Sequence, residues 1–406
     1  MNTGTSHLDT PLNDKEVVLN IAILGAGVGG LATAIALTQQ GFNVQIYERQ
    51  ASLSTIGAGI VCWPNATFVL KELGVLEEIA AVSGAITQMV RTSSDGEALG
   101  ALNVLQINTL MGYPSLSILR KDLMRILERR LTALGVRVHY GHRVVGMCGG
   151  DSGATTVQFD KLPALEPDVV IGADGRMNSV ARRFVHGDPT PVYQGFINWI
   201  GVFESPASMF PDTDVFDYWG VGTRFGIVPV TDKVAYWAGG VAEPQVGMND
   251  PSAYKQELAA LFSGWNDKIA MLIERTPVEL INKVYVHDHN PIDRWHRSNV
   301  LLIGDAAHAA LPTSGQGACQ ALEDAWHLAR LLKQGGDLAS VYSSFTALRK
   351  AKTHAIGNAG RQLATALFNT DPDYCQQRNQ NSIDNDFTAS ARGMAQLWGS
   401  QLLYTA

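Results

Sequence analysis

The chain of 406 residues is 46% hydrophobic and 17% charged, with a formal net charge of −7. It is long enough for two domains and a large core, and its composition is that of a globular protein rather than a disordered or fibrous one. The acidic balance argues against a nucleic-acid partner, which needs a basic surface, and no apolar run reaches the ~18 residues of a membrane span. The opening residues lack the order of a secretory leader, so a cytoplasmic protein acting on small molecules is expected. Cys62, Cys148, Cys319 and Cys375 are widely spaced with no C-x-x-C pair, which indicates buried free thiols and neither a metal site nor a disulfide framework.

Residues 1–16 are polar and expected to fray. From Asn20 an apolar run stops at Gly25, Gly27 and Gly30, and small and aliphatic residues then recur at helical spacing from Leu31 to Leu37. This spacing predicts a strand, a tight turn and a helix. The first glycine permits the turn, the second lets backbone approach a pyrophosphate, and the third lets the helix pack close to the strand with its N-terminus facing the anion. A second strand, Asn43 to Tyr47, ends in Glu48, where a carboxylate can accept hydrogen bonds from an adenosine ribose, with Arg49 beside it. A bound dinucleotide is expected, NAD or FAD. The alternative is a glycine turn that serves packing alone.

Gly57 and Gly59, in IGAGIVCWPNA, either bring backbone close to a flat ring or leave a loop free to move, and Pro64 with Asn65 begins a helix. Residues 85–119 read as strands around a polar turn at 93–96. A helix then carries Leu119, Leu123, Ile126, Leu127 and Leu131 on one face. Arg120 at its start either bonds a cofactor or is a surface charge. Strands over 136–140 and 155–159 flank the turn-rich GGDSG. The buried run Val169 to Ile171 leads to Asp174 and Gly175, at the carboxyl end of a strand in an open α/β sheet, where ligands bind.

From Thr190 the texture changes to alternating aromatic strands, an antiparallel sheet whose tryptophans and tyrosines serve either the core or a ligand. If its hairpin turns about Asp232, Val228 faces Tyr236, and Arg224 and Tyr236 share a face at a separation of roughly 13 Å, suited to clasping a planar ligand. A register slip of one residue would put them on opposite faces. Helices are expected over 252–262 and up to Glu274. Val300 to Ile303 is another buried strand ending in Gly304 and Asp305, before a loop with Pro312, Gly315 and Gly317 and a long helix. Residues 337–369 read as helix, DPDYCQQRNQ as a loop, and 386–403 as an amphipathic helix that packs on the body.

GAGVGG with Glu48, IGADG around Asp174 and GDAAHAALPTSGQGACQALEDA around Asp305 resemble the single-component FAD-dependent aromatic hydroxylases, the flavoprotein monooxygenases related to p-hydroxybenzoate hydroxylase. The resemblance covers nearly the whole chain. It implies an α/β fold: a Rossmann-like FAD-binding domain (17–84, 107–189 and 283–335), an inserted antiparallel β-sheet substrate domain (85–106 and 190–282), and a C-terminal helical region (336–406). Gly25, Gly27, Gly30, Glu48 and Arg49 would hold the ADP half of FAD, and Arg120 would add a cofactor contact. Asp174 would lie by the pyrophosphate, Asp305 would bond the ribityl chain, and Pro312, Gly315 and Gly317 would face the flavin ring. One departure stands out. The family places a serine three residues after the DG glycine and an arginine three further on, whereas here Asn178 holds the first position and Ser179 and Arg182 fall one residue late, which puts an NAD(P)H role for Arg182 in doubt.

The middle of the chain is most similar to the bacterial FAD-dependent urate hydroxylases, through WPNA, YQGFINWIG, TRFGIVPV, FSGW and VHDHNPIDRW. In those enzymes the arginine and tyrosine matching Arg224 and Tyr236 contact the purine. The resemblance thus implies that NADH or NADPH reduces FAD, that dioxygen forms a flavin hydroperoxide, and that one oxygen atom passes to a small, electron-rich, urate-like aromatic. A monomer or homodimer without metal is expected, with structural roles for His287 and His308. Two alternatives remain: the same chemistry on a larger bicyclic such as an alkylquinolone or on an alkene, and a protein-binding module of the GDP-dissociation-inhibitor kind.

Overall fold

The computed structural model describes residues 19–53, 58–149, 153–188 and 190–402. The opening sixteen residues, Gly57 and the centre of GGDSG lie outside them. The first layer is a six-stranded sheet in the order His296–Arg297, Val300–Leu302, Val169–Gly172, Asn20–Leu24, Asn43–Tyr47, Val138–His139. All its pairings are parallel except the outer one, which His296–Arg297 makes with Val300–Leu302. Ile21, Ile23, Val169, Ile171 and Leu301 are buried, as strands covered on both faces require. Helix Val28–Gln39 packs against helix Gly317–Gln334, so closely that a Cβ on Gly29 would lie 3.1 Å from that of Ala321.

The second layer is a seven-stranded sheet in the order Asn282–Asp288, Val192–Glu204, Val234–Ala242, Thr223–Pro229, Val215–Trp219, Gln88–Ser93, Ala98–Asn103. It is antiparallel apart from one parallel pairing, between Val215–Trp219 and Gln88–Ser93, where two separate stretches of chain meet. Phe225, Ile227, Trp199 and Trp237 point to one side, into a core with helices Tyr254–Leu261 and Asp267–Arg275. The other side looks back at the first layer. A small sheet of Gly59–Cys62, Leu116–Leu119 and Gly84–Ala85 joins the two: Ser117 Oγ donates to the carbonyl of Pro229 at 2.5 Å.

Three stretches differ from expectation. Residues 104–111 form a helix, because Asn103 caps it by accepting from the Gln106 N–H and Val104, Ile107 and Met111 repeat at helical spacing. DPDYCQQRNQ is helical from Pro372 to Ile383: Asp371 accepts from the N–H groups of Asp373 and Tyr374, and Pro372 sits in the first turn. A strand at Val144–Cys148 pairs with Thr156–Phe159 as a separate hairpin. Cys148 is exposed, unlike the other three cysteines. The last helix, Phe387–Gly399, packs on the body through Ala391, Ala395 and Trp398, and Trp398 meets Trp63 at 4.9 Å between ring centroids. Among the described residues no helix is long and apolar enough to cross a membrane.

Candidate active site

The three glycines of the first turn meet three different surroundings. Gly25 has φ +104, and a Cβ there would strike the carbonyl of Ala173 at 2.4 Å. A Cβ on Gly30 would strike the carbonyl of Gly25 at 1.9 Å, so this residue lets helix and strand touch. Gly27 is the opposite case: none of the described residues lies within 4 Å of a Cβ there, so its backbone borders open space at the N-terminus of helix Val28–Gln39. That is the cradle a pyrophosphate needs. Glu48 stands at the end of its strand with Oε2 accepting from the Ala26 N–H at 2.9 Å and Oε1 from the Gln50 N–H at 2.9 Å, and Arg49 is exposed beside it.

Asp174 faces its own chain. Its carboxylate accepts from Ser179 Oγ at 2.5 Å and from the N–H groups of Val180 and Ala181, so it caps helix Val180–His186. The extra residue of the motif is absorbed by Asn178, which adopts φ +58, a conformation asparagine tolerates. Ser179 thereby keeps the N-cap. Arg182 is buried and donates to the carbonyls of Ala306, Ala307 and Asn290, so its guanidinium is used inside the protein. Asp305 opens the helix Asp305–His308 and pairs with Arg176, whose Nη2 lies 2.9 Å from Oδ2. Arg120 stands near both: burial pulls its guanidinium below its usual value and Asp305 opposes that. No hydrogen bond from the Arg120 guanidinium is made among the described residues, which leaves its donors for a ligand. Pro312–Ser314 form a single 3-10 turn, Gly315 follows with φ +61 and accepts from Trp63 Nε1 at 3.0 Å, and Gly317 borders open space.

On the sheet, Val228 pairs with Tyr236 and Arg224 with Gly240, the register that puts Arg224 and Tyr236 on one face. The Arg224 guanidinium extends over Gly226, where Nη2 lies 3.5 Å from the place of a Cβ, and so reaches from its own position towards Tyr236. Asp217, opposite Gly226 on the next strand, holds it there: Arg224 Nε donates to Oδ1 at 2.5 Å, and Trp219 Nε1 donates to Oδ2 at 2.8 Å. Burial pushes the Tyr236 phenol well above its usual value, so it stays protonated as a donor. Tyr236 abuts Gly59, and Cys62 and Cys319 lie close by, which sets this face of the sheet against the strand Gly59–Cys62 and the start of helix Gly317–Gln334. Asn198 belongs to the same face, its Oδ1 3.0 Å from where a Gly240 Cβ would stand. A cleft of about 350 Å³ lined by Gln194, Arg361 and Phe368 shares none of these residues.

The model of the family described as "FAD binding domain" matches residues 18–342. The chain belongs to that family. Its relatives include the aurachin C monooxygenase/isomerase of Stigmatella aurantiaca, 34% identical over 331 residues, 82% of this chain and 85% of the relative. The FAD-dependent urate hydroxylase of Mycolicibacterium vanbaalenii is 31% identical over 339 residues, covering 82% and 84%. The crystal structure of Klebsiella pneumoniae HpxO complexed with FAD and uric acid superimposes with a TM-score of 0.87 at 27% identity, over 95% of this chain and 98% of that one. The protein is thus a flavoprotein of the aromatic monooxygenase group, and the open cradle at Gly27, the free donors of Arg120 and the space at Gly317 fit FAD.

Two features of this region are not evident from the motifs. Asp217 sits between Phe216 and Tyr218 in an aromatic strand, and a single acid at an inward position of such a strand is the signal that would have found it. The second is a buried polar network behind the loop of Pro312, Gly315 and Gly317. Arg349 donates to Glu323 and Asp324 at 2.7 Å each, His308 Nε2 lies 2.6 Å from Asp324, and Lys352 joins Glu323 to the carbonyls of Trp398 and Ser400. Burial would raise the Asp324 carboxyl, but His308 and Arg349 more than reverse this and hold it well below its usual value. His308 is structural here, and His287 bonds the carbonyl of Tyr285.

Proposed function

We propose that this protein is an NADH- or NADPH-dependent FAD monooxygenase that hydroxylates a small, planar, anionic heteroaromatic of the urate kind. The observation that carries this reading is Arg224 held over Gly226 by Asp217, on the same sheet face as a protonated Tyr236. A fixed guanidinium takes an oxyanion of the substrate, and the neutral phenol donates to a ring oxygen or nitrogen. Between them Gly226 lies under the Arg224 guanidinium, the Phe368 ring covers Gly240, and Ala238 presents only a methyl group, over which a planar ring can lie between guanidinium and phenol. FAD, when bound, supplies the activation of dioxygen after reduction by the nicotinamide. The chain supplies orientation and exclusion of water: Gly27, Glu48 and Arg120 hold the cofactor, while the buried aromatics behind the sheet keep the face rigid. Several relatives named as urate hydroxylases support the substrate class.

A second reading is oxygenation of a larger bicyclic, supported by the 34% identity to the aurachin C monooxygenase/isomerase. The test is NADH and NADPH oxidation by the FAD-loaded protein with urate, hydroxybenzoates, salicylate and quinolones, with peroxide and product assayed together. Coupled turnover of urate supports the first reading; coupled turnover of a quinolone alone replaces it with the second. Oxidation unstimulated by every ligand defeats both.

A further inference from the structure

Arg91 stands in the strand Gln88–Ser93, directly across the ladder from Asp217 and on the face that carries Arg224 and Tyr236. Its guanidinium lies between two rings, 5.0 Å from the centroid of Trp219 and 5.3 Å from that of Phe387 in the last helix. The seat for Phe387 is made by Gly100, the ladder partner of Arg91, with φ +106 and room for no Cβ: the ring is 2.3 Å from where that atom would be. Arg91 Nε is buried and unbonded, and among the described residues the guanidinium makes no hydrogen bond or ion pair. The one carboxylate in reach, Asp217, already receives Arg224 on one oxygen and Trp219 on the other. Arg378, over the same Trp219 ring at 5.3 Å, also feels Asp217, so three cations share a single anion and the face holds an excess positive charge.

Half-buried guanidinium groups normally find a carboxylate or phosphate, and aromatic faces alone do not satisfy five N–H donors. We infer that Arg91 is a second anion-binding position for the substrate, which takes a carboxylate or a second oxyanion at the end of the ligand remote from Tyr236. The strand of Arg91 lies two strand spacings, roughly 10 Å, from that of Arg224. Two guanidinium groups reaching inward from those positions match an aromatic with acidic or acceptor groups at opposite ends. This inference rests on the proposed aromatic substrate class and narrows it to ligands with two anionic or acceptor ends. Because Phe387 forms one wall of the Arg91 cage, the C-terminal helix, beyond the part matched by the family model, contributes to selectivity.

The test is calorimetric titration of the FAD-loaded protein with kynurenate and with 4-hydroxyquinoline, which share a bicyclic ring and differ by one carboxylate. The wild type should bind kynurenate at least tenfold more tightly. Arg91→Met should bring the ratio of the two affinities to about one, Arg91→Lys should leave an intermediate ratio, and Phe387→Ala should lower it. Equal wild-type affinities, no binding of kynurenate, or a ratio unmoved by Arg91→Met would each overturn the inference. A loss of thermal stability in Arg91→Met with the ratio intact would assign the residue to structure alone. Binding is read without turnover, so failure of the monooxygenase reading, seen as unstimulated NAD(P)H oxidation, is distinguishable from failure of this one.

Discussion

Tyr236 presses its ring against the backbone of Gly59: a Cβ on that glycine would fall 2.1 Å from Cδ1. The substrate-facing sheet and the first layer therefore touch through a residue whose lack of a side chain is required, and the flat ring that Gly59 approaches is the protein's own. Gly59→Ala should push the Tyr236 ring from its place. Overpacking of this kind costs about 1–3 kcal/mol. Because the displaced group faces the substrate, kcat/KM should fall at least roughly tenfold while FAD content is kept. Steady-state kinetics with the flavin absorbance measured on the same sample checks this; an unchanged kcat/KM would show that Tyr236 does not touch the substrate.

Arg224 and Asp217 should behave as a pair. Removing Arg224 alone leaves the buried Asp217 carboxylate with the Trp219 bond and the charge of Arg91 nearby, so the loss should fall at or below the lower end of the about 3–5 kcal/mol that breaking a buried pair costs. Arg224→Ala should therefore both lower the melting temperature and weaken an anionic substrate by about 2 kcal/mol, roughly thirtyfold. The double variant Arg224→Met with Asp217→Asn should recover part of the stability, since Arg91 then loses its nearby anion, and none of the affinity. Thermal melts beside substrate titrations decide it, and recovery of both would mean that Arg224 serves the fold alone.

Gly27 and Gly30 separate cofactor binding from folding. A Cβ at Gly27 enters open space at an extended backbone conformation, so Gly27→Ala should leave the FAD-free protein stable to within about 0.5 kcal/mol and weaken FAD about tenfold or more. At Gly30 the same change drives a Cβ into the Gly25 carbonyl and should cost about 3 kcal/mol in the absence of FAD. Fluorescence titration of FAD and denaturant melts of the stripped proteins give both numbers. Equal effects of the two changes on folding would contradict the cradle assigned to Gly27.

These contrasts show what could be read before the fold was seen. Gly25, Gly27 and Gly30 were legible because each backbone demand, a left-handed φ, an open approach and a tight packing, selects glycine for a separate physical reason. The register that unites Arg224 with Tyr236 was legible because a hairpin of period two admits few alternatives. The meeting of Arg91 with Asp217 was not, since it arises from a parallel pairing of strands more than a hundred residues apart, which leaves no local signal. The helix from Pro372 was hidden by polar composition, and its start depends on Asp371 accepting two backbone N–H groups. Arg182, one residue late in its motif, donates to three carbonyls, which give it a role within the protein.

His327 gives the protein a pH dependence of known sign. The ring is buried against Trp326, Nε2 has no hydrogen-bond partner among the described residues, and burial with help from the Arg349 charge pushes its pKa from 6.5 down to about 3. In the unfolded chain the imidazole titrates near its ordinary value, so between about pH 3 and 6.5 the unfolded state binds a proton that the folded state refuses. Stability from this residue is complete above pH 6.5 and is lost as the pH falls, at about 1.4 kcal/mol per pH unit for one proton. His327→Leu should remove that proton from the slope while leaving the protein as stable at pH 7. Denaturant melts of the two FAD-loaded proteins at several pH values between 4 and 7 measure the difference. Parallel curves would mean that His327 is protonated inside the fold, held by Glu323 and Asp324, the two acids that oppose the shift.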